Sequence, residues 1–79
     1  MDDQFIELDN AILRAFEISS KFHYLRLGQC IFNECYRISS LQNYIDNNLR
    51  GTNKDCFFID ANIDKFVDDL TDYVQWNLK

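Results

Sequence analysis

The sequence predicts an all-α protein, a small bundle of three to four helices with an apolar loop at residues 52–59 packed on it. The chain has no proline and only two glycines, too few for the frequent turns of a β-sandwich or hairpin protein. Apolar residues instead recur at steps of three and four, the pattern of amphipathic helices. The 79 residues, 1–79, are expected to form a single domain.

The first helix is expected from about Asp3 to Ser19. Its apolar face comprises Phe5, Leu8, Ile12, Ala15 and Phe16. The step Ser19-Ser20-Lys21 suits a break in which a serine hydroxyl caps the next helix. One continuous bent helix fits the same residues, and the sequence leaves both arrangements open.

A second helix, from about Lys21 to Ile38, is expected to be the centre of the bundle. Its apolar residues, which include Tyr24, spread over about half of the helix circumference, so it needs more than one neighbour. Gly28 lies near the middle of this arc, where glycine costs about 1 kcal/mol relative to alanine. We expect its missing side chain to let another segment approach closely. Gly28, Phe32 and Phe57 are therefore predicted packing residues.

Two further helices and the loop between them complete the predicted architecture. A third helix capped by Ser39-Ser40 should end at Gly51 in the left-handed conformation. In the apolar loop that follows, Phe57 or Phe58 should plug the bundle, with a short edge strand as the alternative. A last helix capped by Asp60 or Asn62 should run to about Asn77. Its buried stripe comprises Ile63, Phe66, Val67, Leu70 and Val74.

Composition and charge narrow the range of functions that this chain is expected to have. No apolar run approaches the ~20 residues that span a bilayer, and the first residues are acidic rather than basic as in a signal peptide. The three cysteines are odd in number and lack a C-x-x-C pair, which favours reduced thiols and a cytoplasmic location over disulfides or zinc. The net charge of −5 is unevenly distributed: residues 18–54 are basic and both flanks are acidic. Direct binding to nucleic acid or to a membrane is not expected.

Two short motifs suggest a setting. Arg26-x-Gly28-Gln29-x-x-Phe32-Asn33 and Gly51-Thr52-x-x-Asp55-x-Phe57-Phe58 follow one another, and a helix comes next. Over about residues 22 to 66 this layout resembles short phage- and prophage-encoded proteins with an R-x-G-Q-x-x-F-N helix and a G-T-x-x-D-x-F-Y-type loop. The resemblance implies a helical fold and a bacterial host cell. It brings no activity with it, and Phe58 stands where tyrosine is common, so no role for a hydroxyl carries over.

The polar side of the second helix offers a first candidate site. Arg26, Gln29, Asn33 and Arg37 are predicted to form either a recognition strip or, with Asp55, a structural clasp. In the clasp, Arg26 ties the helix to Asp55 or to another loop carboxylate through a bidentate contact. A plain solvated face is the alternative.

The last helix offers a second candidate site. An acidic row, Asp60, Asp64, Asp68 and Asp72, repeats every four residues. Like charges at this spacing cost a few tenths of a kcal/mol per pair, so the row is either solvated, paired with the basic middle segment, or kept for a basic partner. Trp76 falls nearly opposite the buried stripe if the helix persists, and tryptophan is enriched among interface anchors. The predicted partner-binding residues are Asp64, Asp68, Asp69, Asp72 and Trp76.

No catalytic, cofactor or metal site is predicted, because His23 has no paired nucleophile and no metal or phosphate-loop motif occurs. The favoured function is a small acidic interaction protein that binds and inhibits or modulates a host or phage protein, such as a nucleic-acid enzyme or an anti-phage defence factor. One alternative is a structural protein that forms a homo-oligomer. Another is a small-ligand sponge, for example for nucleotides, that uses Arg26, Asn33 and Arg37.

Overall fold

A computed structural model describes residues 3–77 and confirms the all-α prediction. Its helices are α1 (Asp3–Lys21), α2 (Leu27–Tyr36), α3 (Ser39–Tyr44) and α4 (Ile63–Asn77). α3 continues into a π-helical turn, Ile45–Leu49, and a 3-10 turn, Asp60–Asn62, leads into α4. None of the helices in this part of the chain combines the length and apolarity that a membrane span requires. No strand occurs in residues 3–77, so the loop forms no edge strand.

The core draws on all four helices. Its fully buried side chains include Leu8, Ala11, Ala15, Ile31, Cys35, Leu41, Phe66, Leu70 and Val74. α2 packs against α1 and α3, as expected for the central helix. From α2, the Phe32 ring contacts Phe66 of α4 and Phe57 of the loop, with ring centroids 5.4 and 5.5 Å apart. The stripe predicted for α4 is confirmed, since Phe66, Leu70 and Val74 are fully buried.

The first two helices are separate, and the break comes later than predicted. α1 continues to Lys21, and α2 begins only at Leu27. Ser20 Oγ donates to the Glu17 carbonyl within α1, so the predicted serine cap of α2 is wrong. The placement of Tyr24 in the buried arc is also wrong: it lies in the connecting turn and is 80% exposed. The 100° step assigns a face only where the chain is helical.

The face predicted for α1 is wrong at one edge. Leu8, Ala11 and Ala15 are fully buried, whereas the Phe16 side chain is half exposed. The buried side of α1 is therefore centred on Leu8, Ala11 and Ala15, and Phe16 lies outside it. Because Ile6 and Leu13 are also exposed, one side of α1 presents apolar surface to solvent.

The loop of residues 52–59 packs on the bundle through two residues. Cys56 is fully buried and Phe57 is half buried, but Phe58 and Ile59 are exposed. Gly51 ends the preceding turn with φ = 76°, as predicted. The Asp55 carboxylate accepts hydrogen bonds from the backbone N–H groups of Gly51 (2.7 Å) and Phe57 (2.8 Å). Asp55 thus holds its own loop in shape.

Candidate interaction surface

The exposed side of α4 carries a row of acidic side chains that take no part in the core. Asp64, Asp68 and Asp72 are all exposed, and they take part in no salt bridge within the described residues. Their spacing of four residues puts successive carboxylates ~6 Å apart along the helix axis. α4 stays helical beyond Trp76, whose side chain is 69% exposed. Three carboxylates, one large aromatic side chain and the exposed Lys65 therefore share the outer side of this helix, which keeps an acidic balance.

Asp69 does not belong to this outer side, which corrects its assignment as a partner-binding residue. It is half buried and accepts hydrogen bonds from Lys54 Nζ, at 2.5 Å, and from the Tyr44 hydroxyl. At 100° per residue Asp69 faces α3 and the loop, where the Tyr73 and Tyr44 rings stack with centroids 3.9 Å apart. Within the described residues, the pairing with the basic middle segment that was predicted for the acidic row occurs at Asp60, which pairs with Arg26. Asp69, which lies outside the row, pairs with Lys54.

This inward contact shifts two pKa values. Burial raises the pKa of Tyr44 to about 12, and the hydrogen bond to the Asp69 carboxylate acts in the same direction. For Asp69 burial acts to raise the pKa, but hydrogen bonds from Lys54 and Tyr44 outweigh it and the pKa is lowered. The pair is held as neutral tyrosine and ionised aspartate.

α1 is a neighbour of α4 and packs directly against it. α1 contributes exposed Leu13 and Phe16, at 59% and 50%. Single exposed apolar side chains are ordinary, but several along one helix are a common mark of an interaction site.

Part of the predicted clasp forms, with another carboxylate in place of Asp55. Arg26 pairs with Asp60 instead of Asp55, at 3.4 Å, and its other terminal nitrogen donates to the Phe57 carbonyl at 2.5 Å. The same Asp60 oxygen accepts the Gly28 backbone N–H at 3.1 Å. Asp60 therefore caps α2 rather than α4, and the clasp joins Arg26, Gly28 and Asp60. Asp55 instead accepts hydrogen bonds from the backbone of its own loop.

The rest of the predicted strip divides between different surroundings. Asn33 is exposed and Gln29 is half buried. Arg37 lies just beyond the end of α2 and pairs with Glu34 at 3.4 Å. Arg26 and Arg37 are thus engaged at opposite ends of the helix. The recognition strip proposed for these four residues stays a prediction.

Gly28 lies where two segments cross. A Cβ atom at this position would stand 2.3 Å from the Cys56 carbonyl oxygen and 2.6 Å from Asp60 Oδ1. The Cys56 thiol in turn donates to the Gly28 carbonyl at 3.2 Å. The structure therefore places Gly28 in a packing position, with Cys56 rather than Phe57 as its direct neighbour. The start of α2 belongs to the motif at residues 26–33, and the loop that crosses it belongs to the motif at residues 51–58.

Sequence reasoning missed Glu34, which lies inside the bundle although it is charged. Glu34 is 5% exposed, and its carboxylate is met by Arg14 Nε at 3.0 Å and by Arg37 at 3.4 Å. One signal was present: Glu34 stands between Ile31, Phe32 and Cys35 in the apolar part of α2. A charged residue in that position calls for a partner on a neighbouring helix.

The described residues contain no group of three His, Cys, Asp or Glu side chains placed to hold a metal ion. The three cysteines are free thiols, all buried. No protein-family model matches the chain, and no curated protein or solved structure matches it significantly. The resemblance to short phage proteins therefore stays a prediction.

Proposed function

We propose that this chain is an interaction protein that binds a partner protein through the outer side of α4 and blocks or modulates it. The observation that supports this is the combination of Asp64, Asp68 and Asp72, all exposed, with Trp76, which is 69% exposed. Carboxylates steer a basic surface into place, and a large aromatic side chain supplies apolar contact area. Exposed Leu13 and Phe16 lie on α1, the helix that packs against α4, and are proposed to extend this surface.

The partner that fits is a protein with a basic surface that also offers apolar contacts. Nucleic-acid enzymes have such surfaces where they bind phosphates, and a row of carboxylates on a helix competes for the same cations. In the phage setting that the motifs suggest, a nucleic-acid enzyme or a defence factor of the bacterial host is the proposed class of target. The cytoplasm is then the proposed place of action.

Affinity capture from host cells tests this proposal with matched variants. D68N/D72N removes two charges from α4, whereas E7Q/E17Q removes two charges from exposed positions of α1, so both change the net charge from −5 to −3. We expect the wild type and E7Q/E17Q to capture the same partner, and D68N/D72N and W76A to lose it. Equal capture by all four proteins would show that α4 is not the contact surface.

A homo-oligomer is the second candidate, and the apolar side of α1 favours it. Ile6, Leu13 and Phe16 are each 42% to 59% exposed on one helix. Burying such side chains against a second copy would stabilise an oligomer. Light scattering of the wild type and of L13E/F16E distinguishes the two functions. A stable oligomer that the double variant dissociates would support assembly, and a monomer in both supports a separate partner.

A further inference from the structure

A cleft of about 330 Å³ opens between the second half of α1 and α2, away from the side of α4 used above. α1 and the turn after it contribute Arg14, Glu17, Ile18, Lys21 and Phe22, and α2 and its end contribute Glu34 and Arg37. Small-molecule sites range from ~300 to ~1,000 Å³, so this cleft suits a small ligand.

One wall of the cleft is a buried carboxylate that holds two guanidinium groups. Glu34 Oε1 accepts from Arg14 Nε at 3.0 Å, and Glu34 Oε2 lies 3.4 Å from Arg37 Nη1. The Glu34 side chain is 7% exposed, whereas those of Arg14 and Arg37 are 49% and 72% exposed. A buried glutamate needs one cationic partner to be neutralised. Here it has two, and both remain open to solvent.

The rest of the lining adds one more cation and an apolar patch. Lys21 brings the cations to three, against the two acids Glu17 and Glu34, so the lining has a formal charge of +1. Ile18 is half buried and Phe22 is 44% exposed, so both offer apolar surface next to the charges. Glu17 stands four residues before Lys21 on α1, the spacing at which the two can pair when no ligand is present.

We propose that this cleft binds a small phosphate monoester that carries an apolar or aromatic group. The phosphate group lies between Arg14, Arg37 and Lys21, because guanidinium groups match its oxygen atoms with paired hydrogen bonds. The apolar group rests on Ile18 and Phe22. Glu34 does not touch the ligand but fixes the two arginines in position. Neither Arg26 nor Asn33 contributes, so the site differs from the ligand strip predicted on α2.

Titration followed by NMR tests the proposal with phenyl phosphate as the probe. We expect saturable shifts of the backbone amide signals of Ile18, Lys21 and Phe22. Inorganic phosphate, which lacks the ring, should bind at least tenfold more weakly, and benzyl alcohol, which lacks the charge, should not saturate. The absence of saturable shifts with phenyl phosphate, or equal affinity for benzyl alcohol, would overturn the proposal.

Variants then assign the charges. K21A and R37A should each weaken phenyl phosphate binding about tenfold, since a hydrogen bond to a charged group is lost. E17Q should tighten binding, because it removes the acid that competes for Lys21. K65A and E7Q are the matched controls on other surfaces and should leave the affinity within about twofold. Both cations lie at the surface, so these proteins should fold, and a cooperative melting transition well above the titration temperature verifies it. An unchanged affinity in K21A and R37A, or weaker binding in E17Q, would contradict the assignment.

Discussion

Replacing Gly28 with alanine should destabilise the protein, although alanine is the better helix former. The new Cβ would lie 2.3 Å from the Cys56 carbonyl oxygen, whereas ordinary contacts begin at 3.4 Å. Since that oxygen belongs to the backbone, the loop must move by ~1 Å, and overpacking of this kind costs about 1–3 kcal/mol. The higher helix propensity of alanine stabilises the folded state by at most about 1 kcal/mol. A 2.3 Å approach to a backbone atom puts the overpacking cost in the upper part of that range, about 2–3 kcal/mol, so the net loss is about 1–2 kcal/mol, or a fall in Tm of ~4–16 °C for a domain of this size.

Thermal and urea unfolding followed by circular dichroism measure this loss, and Gly51 provides the matched comparison. A Cβ at Gly51 meets nothing within 4 Å, but its φ of 76° is left-handed. Asparagine tolerates that conformation, so G51N should cost less than G51A. G28N should cost at least as much as G28A, because the limit there is space. A G28A protein as stable as the wild type would refute the close crossing of α2 and the loop.

Three further predictions concern buried polar groups. E34A should lower the free energy of unfolding by about 1–3 kcal/mol, because Arg14 loses its partner. R37A removes the exposed end of the same network and should lower it by less than about 1 kcal/mol. Urea unfolding measures both changes. Tyr44, whose pKa is raised to about 12, contributes stability that is complete below pH ~10 and lost as the pH rises through 12; Y44F should flatten this alkaline loss in a pH series of melting temperatures. Burial raises the pKa values of Cys35 and Cys56 to about 12, so both thiols should react with a chromogenic disulfide at pH 8 only on unfolding; rapid reaction of the folded protein would contradict their burial.

Local sequence patterns were enough to predict the buried face of a regular helix and the turn that ends one. The stripe of α4 and the turn at Gly51 follow from spacing and from the left-handed preference of glycine. Tyr24 and Phe16 were misplaced because a helical wheel does not show where a helix begins or which of two apolar edges its neighbours cover. Both depend on tertiary packing.

The contacts between segments that are distant in the sequence were harder to predict. The sequence singled out Arg26 and Gly28, but their partner Asp60 stands more than thirty residues away and looks like a cap for its own helix. The burial of Asp69 and Glu34 likewise depends on Lys54 and Arg14, which other elements bring into reach. A pattern of charges along one helix indicates that partners are needed, and only the fold selects them.

The most direct test of the proposed interaction surface follows Trp76, the only tryptophan in the chain. Protein labelled with 5-fluorotryptophan gives a single 19F NMR signal from the outer side of α4. On addition of the partner recovered by affinity capture, this signal should move to a new position with a stoichiometric end point, and D68N/D72N should abolish the change. Binding of that partner with the Trp76 signal unmoved would contradict the claim that α4 is the contact surface.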